Sequence, residues 1–410
     1  MDKNLNFTLL EDQKKALKFI LDRPKAGLFL PTGCGKTLVS LLYLKILNQS
    51  AIIVVEATKK DIWLGENQKF NLGLDITTEY SIGGKILLVS YDWLKNYPEV
   101  LDDYNTIIYD EAHCISNTET IRYKQLSERT KAMQRVVLLA GYPVENHLQE
   151  IFVVSLITDV LGKNYYHFLN RYFHVIRKGN RIIKAIPKPD SFQKILDALK
   201  DIVFVMDKSN AVKAKPKNIV VRYELSDYQK NIINMLGESG NYVDENISIS
   251  CKNKAVAFQK VMQVVSGFVY LGGNKKGEPL VPVLFDENPK LKLLDKIISN
   301  KGNFILWYFF DSELGMLKKY SKICRLSKLQ IDSRGRNLQH MGFAVYFTLP
   351  LSGGMMQQSI DRIIRYGREK DVVSIFLLPN GEFGNRMLKM IDTKFKLTND
   401  FIKGLLKLRV

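Results

Sequence analysis

Short apolar runs separated by helical patterns dominate the first and last thirds of the chain. The runs are AGLFLP, AIIVVE, KILLVS, NTIIYDEAH and RVVLLAG in the first third, and NFILWYFF, FAVYFTLP and VVSIFLLP in the last. Helical patterns alternate with them at Thr37–Leu47, Lys59–Phe70, near Ser312–Tyr320 and near Gly354–Arg365. Strands that are apolar throughout and are joined by helices form parallel sheets covered on both faces. The sequence therefore predicts an α/β fold with two lobes.

Positive charge is concentrated in one part of the chain. The 410 residues carry a net charge of +18, and residues 161–218 alone contain thirteen Lys or Arg and four Asp, a net charge of +9. Clustered cations bind polyanions by displacing counterions from phosphates. We therefore expect a nucleic acid partner; the alternative is that the charge only keeps the protein soluble.

Composition favours a soluble protein of a reducing compartment. The chain is 46% hydrophobic and 25% charged, and it has no apolar run of the length that a membrane helix needs. The N-terminal residues lack the apolar core of a signal peptide. Four scattered cysteines show neither CxxC nor Cys/His spacing. We expect a monomer without membrane contact, in a bacterial or phage-infected host cytoplasm.

The stretch LFLPTGCGKT puts a Gly-rich turn between a strand and a helix. Gly33 and Gly35 let backbone N–H groups converge on phosphate oxygens at the helix N-terminus. Lys36 is then expected to reach the β- and γ-phosphates, and Thr37 to hold Mg²⁺. Leu30 stands where the pattern usually opens with a small residue. The sequence predicts an ATP site with Mg²⁺.

The stretch TIIYDEAH supplies the acidic half of such a site. Asp110 ends a predicted strand and is expected to complete the Mg²⁺ shell, while Glu111 orients the attacking water. His113 is expected to couple the site to the other lobe; the alternative is a structural histidine.

A P-loop followed by Asp-Glu-Ala-His resembles helicase superfamily 2, and LLAGYPVENHLQE narrows the resemblance. That stretch is similar to the third motif of Swi/Snf-type DNA translocases, and the chain looks like a small phage-like form of that family. The family's two hydroxyl residues, which usually couple ATP state to DNA grip, are Ala140 and Tyr142 here. The resemblance implies two RecA-like lobes. The matching positions are Gly141, Pro143, Asn146, Leu148 and Glu150, of which Gly141 and Asn146 are candidate coupling residues.

The stretch QSIDRIIRYGREK resembles the sixth motif of the same family. Gln358, Arg362 and Arg365 fall on one face of a predicted helix. The resemblance implies that Gln358 belongs to the nucleotide site and that both arginines reach the γ-phosphate as fingers. The alternative is a solvated basic face.

Other resemblances assign further residues. LLEDQKKALKFIL looks like the opening helix, where Gln13 reads the adenine; the alternative is a surface glutamine. DSRGRNLQ resembles the fifth motif through Gly335 and Asn337, two further candidate coupling residues. Candidate contacts to DNA phosphates in the first lobe are Thr58, Lys59, Ser90 and Tyr91.

The stretch FHVIRKGNRIIKAIPK predicts a hairpin about Gly179-Asn180. Its basic side chains are expected to press on DNA at a junction or fork; the alternative is an ordinary exposed hairpin. These side chains are Arg177, Lys178, Arg181 and Lys184.

Together these patterns predict a lobe at 1–155, a mixed helical and hairpin arm at 156–220 and a second lobe at 221–410. The expected function is an ATP-dependent DNA translocase or helicase that acts on duplex, forked or branched DNA without sequence preference. The resemblance to Swi/Snf-type translocases, together with the size of the chain, implies fork unwinding and branch migration in DNA replication, recombination and repair. The alternatives are an RNA-directed helicase of the same superfamily and a catalytically silent DNA-binding protein.

Overall fold

The computed structural model describes residues 7–81, 85–179, 181–206, 212, 214–272, 280–298, 303–332, 338–365 and 367–408. Contacts divide the chain into two compact units. The first comprises residues 1–213, 352–368 and 393–410, and the second comprises 214–351 and 369–392. The chain therefore leaves the first unit twice and returns to it twice. The predicted boundaries at residues 155 and 220 stay a prediction.

The first unit is built on a parallel sheet. The strands of the first unit are β1 Lys25–Phe29, β2 Ala51–Val55, β3 Ile76–Thr77, β4 Ile86–Ser90, β5 Thr106–Tyr109, β6 Arg135–Ala140, β7 Phe173–Lys178, β8 Arg181–Pro187 and β9 Val203–Val205. Among the described residues, seven of these strands form one sheet in the order β3-β4-β2-β5-β6-β1-β9, with parallel pairing throughout. The segment predicted as an arm thus contributes β9 to the edge of this sheet.

Helices cover both faces of that sheet because its strands are apolar on both sides. Ile52 and Val54 face one buried cluster, while Ile53 and Val55 face another. α1 to α3 pack against the second cluster and α4 to α7 against the first. The helices are α1 Glu11–Leu21, α2 Lys36–Leu47, α3 Lys60–Lys69, α4 Tyr91–Asn96, α5 Ile121–Ala132, α6 Tyr165–Tyr172 and α7 Ser191–Leu199. The helices predicted at Thr37–Leu47 and Lys59–Phe70 are confirmed within one residue.

The described residues of the first unit also include four 3-10 segments. They span Ala57–Lys59, Pro98–Asp103, Ala112–Ile115 and Leu148–Leu156. The first lies directly before α3, and the third directly follows the Asp-Glu pair. Both therefore begin just after a strand of the sheet, so they bring polar residues to the carboxyl ends of the parallel strands.

A second parallel sheet forms the core of the second unit. The strands of the second unit are β10 Pro216–Tyr223, β11 Asn241–Val243, β12 Ser248–Ser250, β13 Phe268–Leu271, β14 Val281–Leu284, β15 Phe304–Tyr308, β16 Arg325–Lys328, β17 Phe343–Tyr346 and β18 Val372–Pro379. The order β10-β18-β17-β15-β16 is parallel throughout, while β11-β12 and β13-β14 are antiparallel pairs. The predicted α/β fold with two RecA-like lobes is confirmed.

The later helices follow the same alternation. They are α8 Asp227–Glu238, α9 Lys254–Val265, α10 Pro289–Ile298, α11 Asp311–Leu317, α12 Leu329–Asp332, α13 Gly353–Ile363 and α14 Glu382–Lys407, with a 3-10 segment at Lys318–Lys322. Contacts group α13 with the first unit, whereas the sequence assigned it to the second lobe. None of the helices in the described ranges has both the length and the apolar character needed to cross a membrane.

The hairpin predicted about Gly179 is confirmed. β7 and β8 pair antiparallel, and Gly179 has a φ of 58°, which glycine adopts without strain. Phe173 and Ile182 pack against the core of the first unit. The opposite side of the hairpin is exposed to solvent, including Ile176 and Ile183. The hairpin is therefore anchored on one side only.

Candidate nucleotide-binding site

A tight turn joins β1 to α2. Gly33 and Gly35 have φ values of 85° and 87°, a region that other residues rarely adopt. Gly35 is the N-cap of α2, so the N–H groups of the first helical turn point toward the loop. The turn predicted from the sequence is therefore formed, and it suits an anion.

Gln13 holds α1 against this turn. Its Oε1 accepts a hydrogen bond from the Leu10 N–H at 3.0 Å, and its Nε2 donates to the Cys34 carbonyl at 3.1 Å. A Cβ added to Gly35 would lie 2.4 Å from that Nε2 atom. Gln13 is buried, which excludes the alternative of a surface glutamine. Reading of adenine by Gln13 stays a prediction.

The acidic pair follows β5. The Asp110 N–H donates to the Val54 carbonyl at 2.8 Å, and both carboxylates are buried. Glu111 has a φ of 52°, a left-handed conformation that costs of order 1–3 kcal/mol for a non-glycine residue. Its Oε1 lies 3.3 Å from Lys36 Nζ. The two halves of the predicted site, 75 residues apart in sequence, are therefore in contact.

Lys59 is a second lysine that contacts the acidic pair, in addition to Lys36. Its buried Nζ lies 3.1 Å from Glu111 Oε1, 3.3 Å from Glu56 Oε2 and 3.8 Å from Asp110 Oδ2. Burial lowers the pKa of Lys59, but the three carboxylates outweigh it and raise the pKa above its usual range. Here the structure differs from the predicted DNA-phosphate contact, because the ammonium group is enclosed by carboxylates.

Tyr91 also differs from its predicted role as a phosphate contact. Its hydroxyl donates to the Asp110 carbonyl at 2.7 Å, and the side chain is buried. Trp63 Nε1 donates to Asp110 Oδ2 at 3.5 Å. Ser90 is half-buried and caps α4 by accepting from the Trp93 N–H. Thr58 is exposed, so Thr58 and Ser90 stay candidate phosphate contacts.

The cations keep Glu111 ionised. Burial raises the pKa of Glu111, but Lys36, Lys59 and His113 outweigh it and hold the pKa well below its ordinary value. Since the carboxylate is already deprotonated at neutral pH, it can accept a hydrogen bond or a proton.

His113 lies between two carboxylates. Its Nδ1 is 3.5 Å from Glu111 Oε2 and 3.8 Å from Glu145 Oε1. Burial disfavours the charged imidazolium, but Glu145 and further contributions including Glu111 outweigh it and raise the pKa of His113 to about 10. His113 is therefore a cation that touches the acidic pair.

The turn after β6 closes on the same site. A Cβ added to Gly141 would lie 3.3 Å from Lys36 Nζ, so only glycine leaves the lysine its full space. The N–H groups of Glu145 and Asn146 donate to Glu150 Oε2 at 2.6 and 3.1 Å. Glu150 thus fixes the turn in which Gly141 and Asn146 were predicted to couple.

α13 contacts that turn through Gln358. Gln358 Nε2 donates to Glu145 Oε1 at 3.2 Å, and Ser352 Oγ donates to Glu145 Oε2 at 3.4 Å. A Cβ added to Gly354 would lie 2.0 Å from Glu145 Cδ, so any other residue there would displace the Glu145 carboxylate. Glu145, which the sequence did not assign, is the residue on which these contacts converge.

The two arginines of the predicted sixth motif are largely buried. A Cβ added to Gly33 would lie 3.3 Å from Arg365 Cγ, so the arginine stem lies over the Gly-rich turn. Burial, together with repulsion from Arg365, lowers the pKa of Arg362 to about 10, while Glu111, Asp361 and Asp110 oppose the shift. The alternative of a solvated basic face is excluded for Arg362, which is 6% exposed.

The remaining predicted residues lie elsewhere. Arg177, Lys178 and Lys184 are exposed on the hairpin, and the Arg177 guanidinium stacks 4.8 Å from the Tyr166 ring centroid. Arg181 pairs with Lys178 in the β7–β8 register. Gly335 and Asn337 lie outside the described residues.

Fold and site together define the P-loop class of α/β proteins.

No family model matches the chain. The chain is 26% identical over 188 residues to a SWI/SNF-related matrix-associated actin-dependent regulator of chromatin subfamily A-like protein 1 homolog of Caenorhabditis elegans, covering 42% of this chain and 27% of that protein. It is 22% identical over 449 residues to the mouse (Mus musculus) DNA annealing helicase and endonuclease ZRANB3, covering 98% and 41%.

A third relative is a DNA repair and recombination protein RAD54-like of Drosophila ananassae, 37% identical over 78 residues, with 18% of this chain and 10% of that protein covered. The chain thus spans less than half the length of these relatives. A solved SWI2/SNF2 ATPase core of Sulfolobus solfataricus in complex with dsDNA covers 99% of this chain and 95% of its own, at 17% identity and a TM-score of 0.46. The relatives support assignment to helicase superfamily 2, while a small phage-like form stays a prediction.

Proposed function

We propose that the protein is a DNA-stimulated ATPase that moves along DNA. The observation that carries this proposal is the convergence of Lys36 and Lys59 on the buried carboxylate of Glu111. An ionised acid beside a phosphate-binding lysine is what hydrolysis by an oriented water requires.

The residues present fit ATP with Mg²⁺. The Gly33–Gly35 turn offers backbone N–H groups, and Lys36 and Arg365 flank it with positive charge. Within the described part of the chain, Thr32 Oγ1 and Glu111 Oε2 are buried without a hydrogen bond, which leaves acceptors for a ligand or a water. Thr37 and Asp110 would hold the metal. When bound, Mg·ATP supplies the phosphoanhydride whose hydrolysis releases free energy.

The chain's own residues then have separable tasks. Glu111 orients a water and takes up its proton at Oε2, the oxygen that makes no hydrogen bond in the described part of the chain. Lys59 keeps Glu111 ionised, and Tyr91 and Trp63 hold Asp110. Arg362 and Arg365 balance negative charge that develops at the turn.

DNA is the proposed partner. Two relatives are named for DNA annealing and for DNA repair and recombination. The +9 charge of residues 161–218 includes the exposed cations of the β7–β8 hairpin. Contacts to phosphates would make binding tolerant of sequence and sensitive to salt. We infer that a monomer acts on duplex, forked or branched DNA, by fork unwinding or branch migration.

ATPase and strand-displacement assays test this function. The wild type is compared with Lys36→Ala in the presence of duplex, single-stranded, forked and four-way junction DNA, and of RNA. We expect stimulation by DNA, greatest with branched forms, and loss of hydrolysis in Lys36→Ala. Stimulation by RNA alone would favour an RNA-directed helicase. DNA binding without hydrolysis under any condition would favour a silent DNA-binding protein.

A further inference from the structure

We propose that Tyr142 is a positioning residue that holds the arginine-bearing helix α13 through Asp361. This inference rests on the proposed ATPase function, to which it adds a residue. Tyr142 follows Gly141 in the turn after β6, and it stands where the resembling family has a hydroxyl residue.

One hydrogen bond joins the turn to the helix. Tyr142 Oη donates to Asp361 Oδ2 at 2.5 Å, across 219 residues of sequence. The other carboxylate oxygen of Asp361 accepts from Gln357 Nε2 at 2.9 Å. Tyr142 and Asp361 are both buried. A short bond from a phenol to a buried carboxylate is charge-assisted and stronger than a neutral one.

The direction of this bond is fixed by the environment of the phenol. Burial, and then the charge of Asp361, raise the pKa of Tyr142 well above its ordinary value. The phenol therefore keeps its proton at neutral pH and donates the hydrogen bond to Asp361.

Asp361 is adjacent to the arginines that the bond would position. It directly precedes Arg362, and its charge favours the protonated forms of both Arg362 and Arg365 against the effect of burial. Three residues earlier, Gln358 donates to Glu145 of the same turn. Positions three apart lie on one face of a helix, so the turn binds one face of α13 at two points.

The length of the tyrosine is what makes the contact. A threonine hydroxyl ends close to the backbone, so it would not reach Asp361 from position 142. Position 142 thus keeps a hydroxyl at the far end of a longer side chain, and that hydroxyl contacts α13. A merely space-filling role would need the ring and not the hydroxyl.

Four variants of the full chain separate these roles. Tyr142→Phe keeps the ring and removes the hydroxyl, Tyr142→Thr keeps a hydroxyl that cannot reach, and Asp361→Asn removes the charged acceptor. Tyr172→Phe is the matched control, because Tyr172 is buried and its hydroxyl makes no hydrogen bond within the described ranges.

Hydrogen–deuterium exchange measures how often the backbone hydrogen bonds of α13 open, and it requires no nucleotide. We expect Tyr142→Phe, Tyr142→Thr and Asp361→Asn to raise exchange in residues 353–363 about tenfold, with α2 unchanged and Tyr172→Phe like the wild type. Unchanged exchange of 353–363 in Tyr142→Phe would overturn the proposal, even if the wild type proved unable to hydrolyse ATP.

Steady-state kinetics with DNA then measure the consequence. We expect Tyr142→Phe to lower kcat about tenfold, with KM for ATP changed less than about twofold, since the bond positions the arginines and does not itself bind ATP. The Tyr142→Phe/Asp361→Asn double variant should be no worse than either single one. A kcat within twofold of the wild type, or additive losses, would overturn the proposal while leaving the ATPase function intact.

Discussion

Lys59 is the residue on which the charge balance of the site depends. Its ammonium group faces Glu111, Glu56 and Asp110, all within 4 Å. Removing one partner of a buried ion pair leaves the others uncompensated, which costs about 3–5 kcal/mol. We therefore expect Lys59→Met to lower the free energy of unfolding by about that amount and to reduce ATPase activity at neutral pH.

Urea titration of Lys59→Met against Lys45→Met measures the effect. Lys45 is exposed on α2, so its variant should differ from the wild type by less than about 0.5 kcal/mol. Equal stability of the two variants would show that Lys59 is not needed to compensate the carboxylates.

His113 makes stability depend on alkaline pH. Its pKa is raised from 6.5 to about 10 in the folded state. A raised pKa means that the folded state binds the proton more tightly, so the contribution to stability is full below about pH 6.5. It is lost progressively as the pH rises from about 6.5 to about 10. We expect the stability difference between the wild type and His113→Gln to shrink over that window.

Unfolding free energies at pH 6, 8 and 10 check this expectation. Groups that titrate equally in both proteins, such as Lys290, whose pKa burial lowers to about 8, cancel in the difference. A difference that stayed constant from pH 6 to pH 10 would contradict a protonated His113.

At the scale of elements, the β7–β8 hairpin presents both cations and exposed isoleucines. Arg177, Lys178 and Lys184 share this exposed surface with Ile176 and Ile183. The slope of log affinity against log salt concentration is negative, and each lost phosphate contact reduces its magnitude by about 0.9 on duplex DNA. We expect the triple alanine variant at the three cations to bind forked DNA more weakly, with a shallower salt dependence.

The control removes the same charge elsewhere in the first unit. Lys15, Lys18 and Lys45 are exposed on α1 and α2, and their triple alanine variant should keep the wild-type slope. Fluorescence anisotropy at several salt concentrations gives both slopes. Equal slopes in the two triple variants would make the hairpin an ordinary exposed strand pair.

Local patterns explain which elements could be predicted. β1, β2 and α2 have uninterrupted apolar runs or helical periodicity, and the Gly33–Gly35 turn has its own signature, so each was predicted from neighbouring residues alone. β10 was missed, because PKNIVVRY mixes polar and apolar residues as an edge strand does.

Contacts between distant residues could not be predicted in the same way. The sequence placed Lys59 at a strand end, but whether its ammonium group faces solvent or Glu111 depends on how β2 and β5 pair. The Tyr142–Asp361 bond joins residues whose separation no periodic pattern reports. One signal was available for Lys59, namely the acidic Glu56 three residues before it.

At the scale of the whole molecule, the last described residues belong to the core of the first unit. Phe401 and Leu405 of α14 are fully buried there, and the Phe401 ring meets Phe192 of α7 at a centroid distance of 6.0 Å. Thr398 Oγ1 also donates to the Val144 carbonyl at 2.8 Å. The unit that contains the Gly-rich turn is therefore stabilised by residues nearly 400 positions after its first helix begins.

We expect Phe401→Ala to destabilise the first unit by about 3–5 kcal/mol through the cavity that it leaves. Lys403→Ala, two positions away and exposed, should stay within about 0.5 kcal/mol of the wild type. The melting temperature and the nucleotide affinity are measured for both variants. If Phe401→Ala melted like Lys403→Ala, the end of α14 would not belong to this core.

The repeated return of the chain to its first unit also sets an order of events during synthesis. A ribosome completes β1, α2 and the acidic pair early, but the helix that carries Arg362 emerges only after residues 214–351 of the second unit, and the end of α14 only after residues 369–392. At about 5–20 residues per second, the nascent first unit waits on the order of ten seconds or more for them. Until then its core exposes the surface that Phe401 and Leu405 later cover. The arginines that complete the proposed ATPase site therefore arrive late, and a growing chain lacks them while most of its sheet is already made.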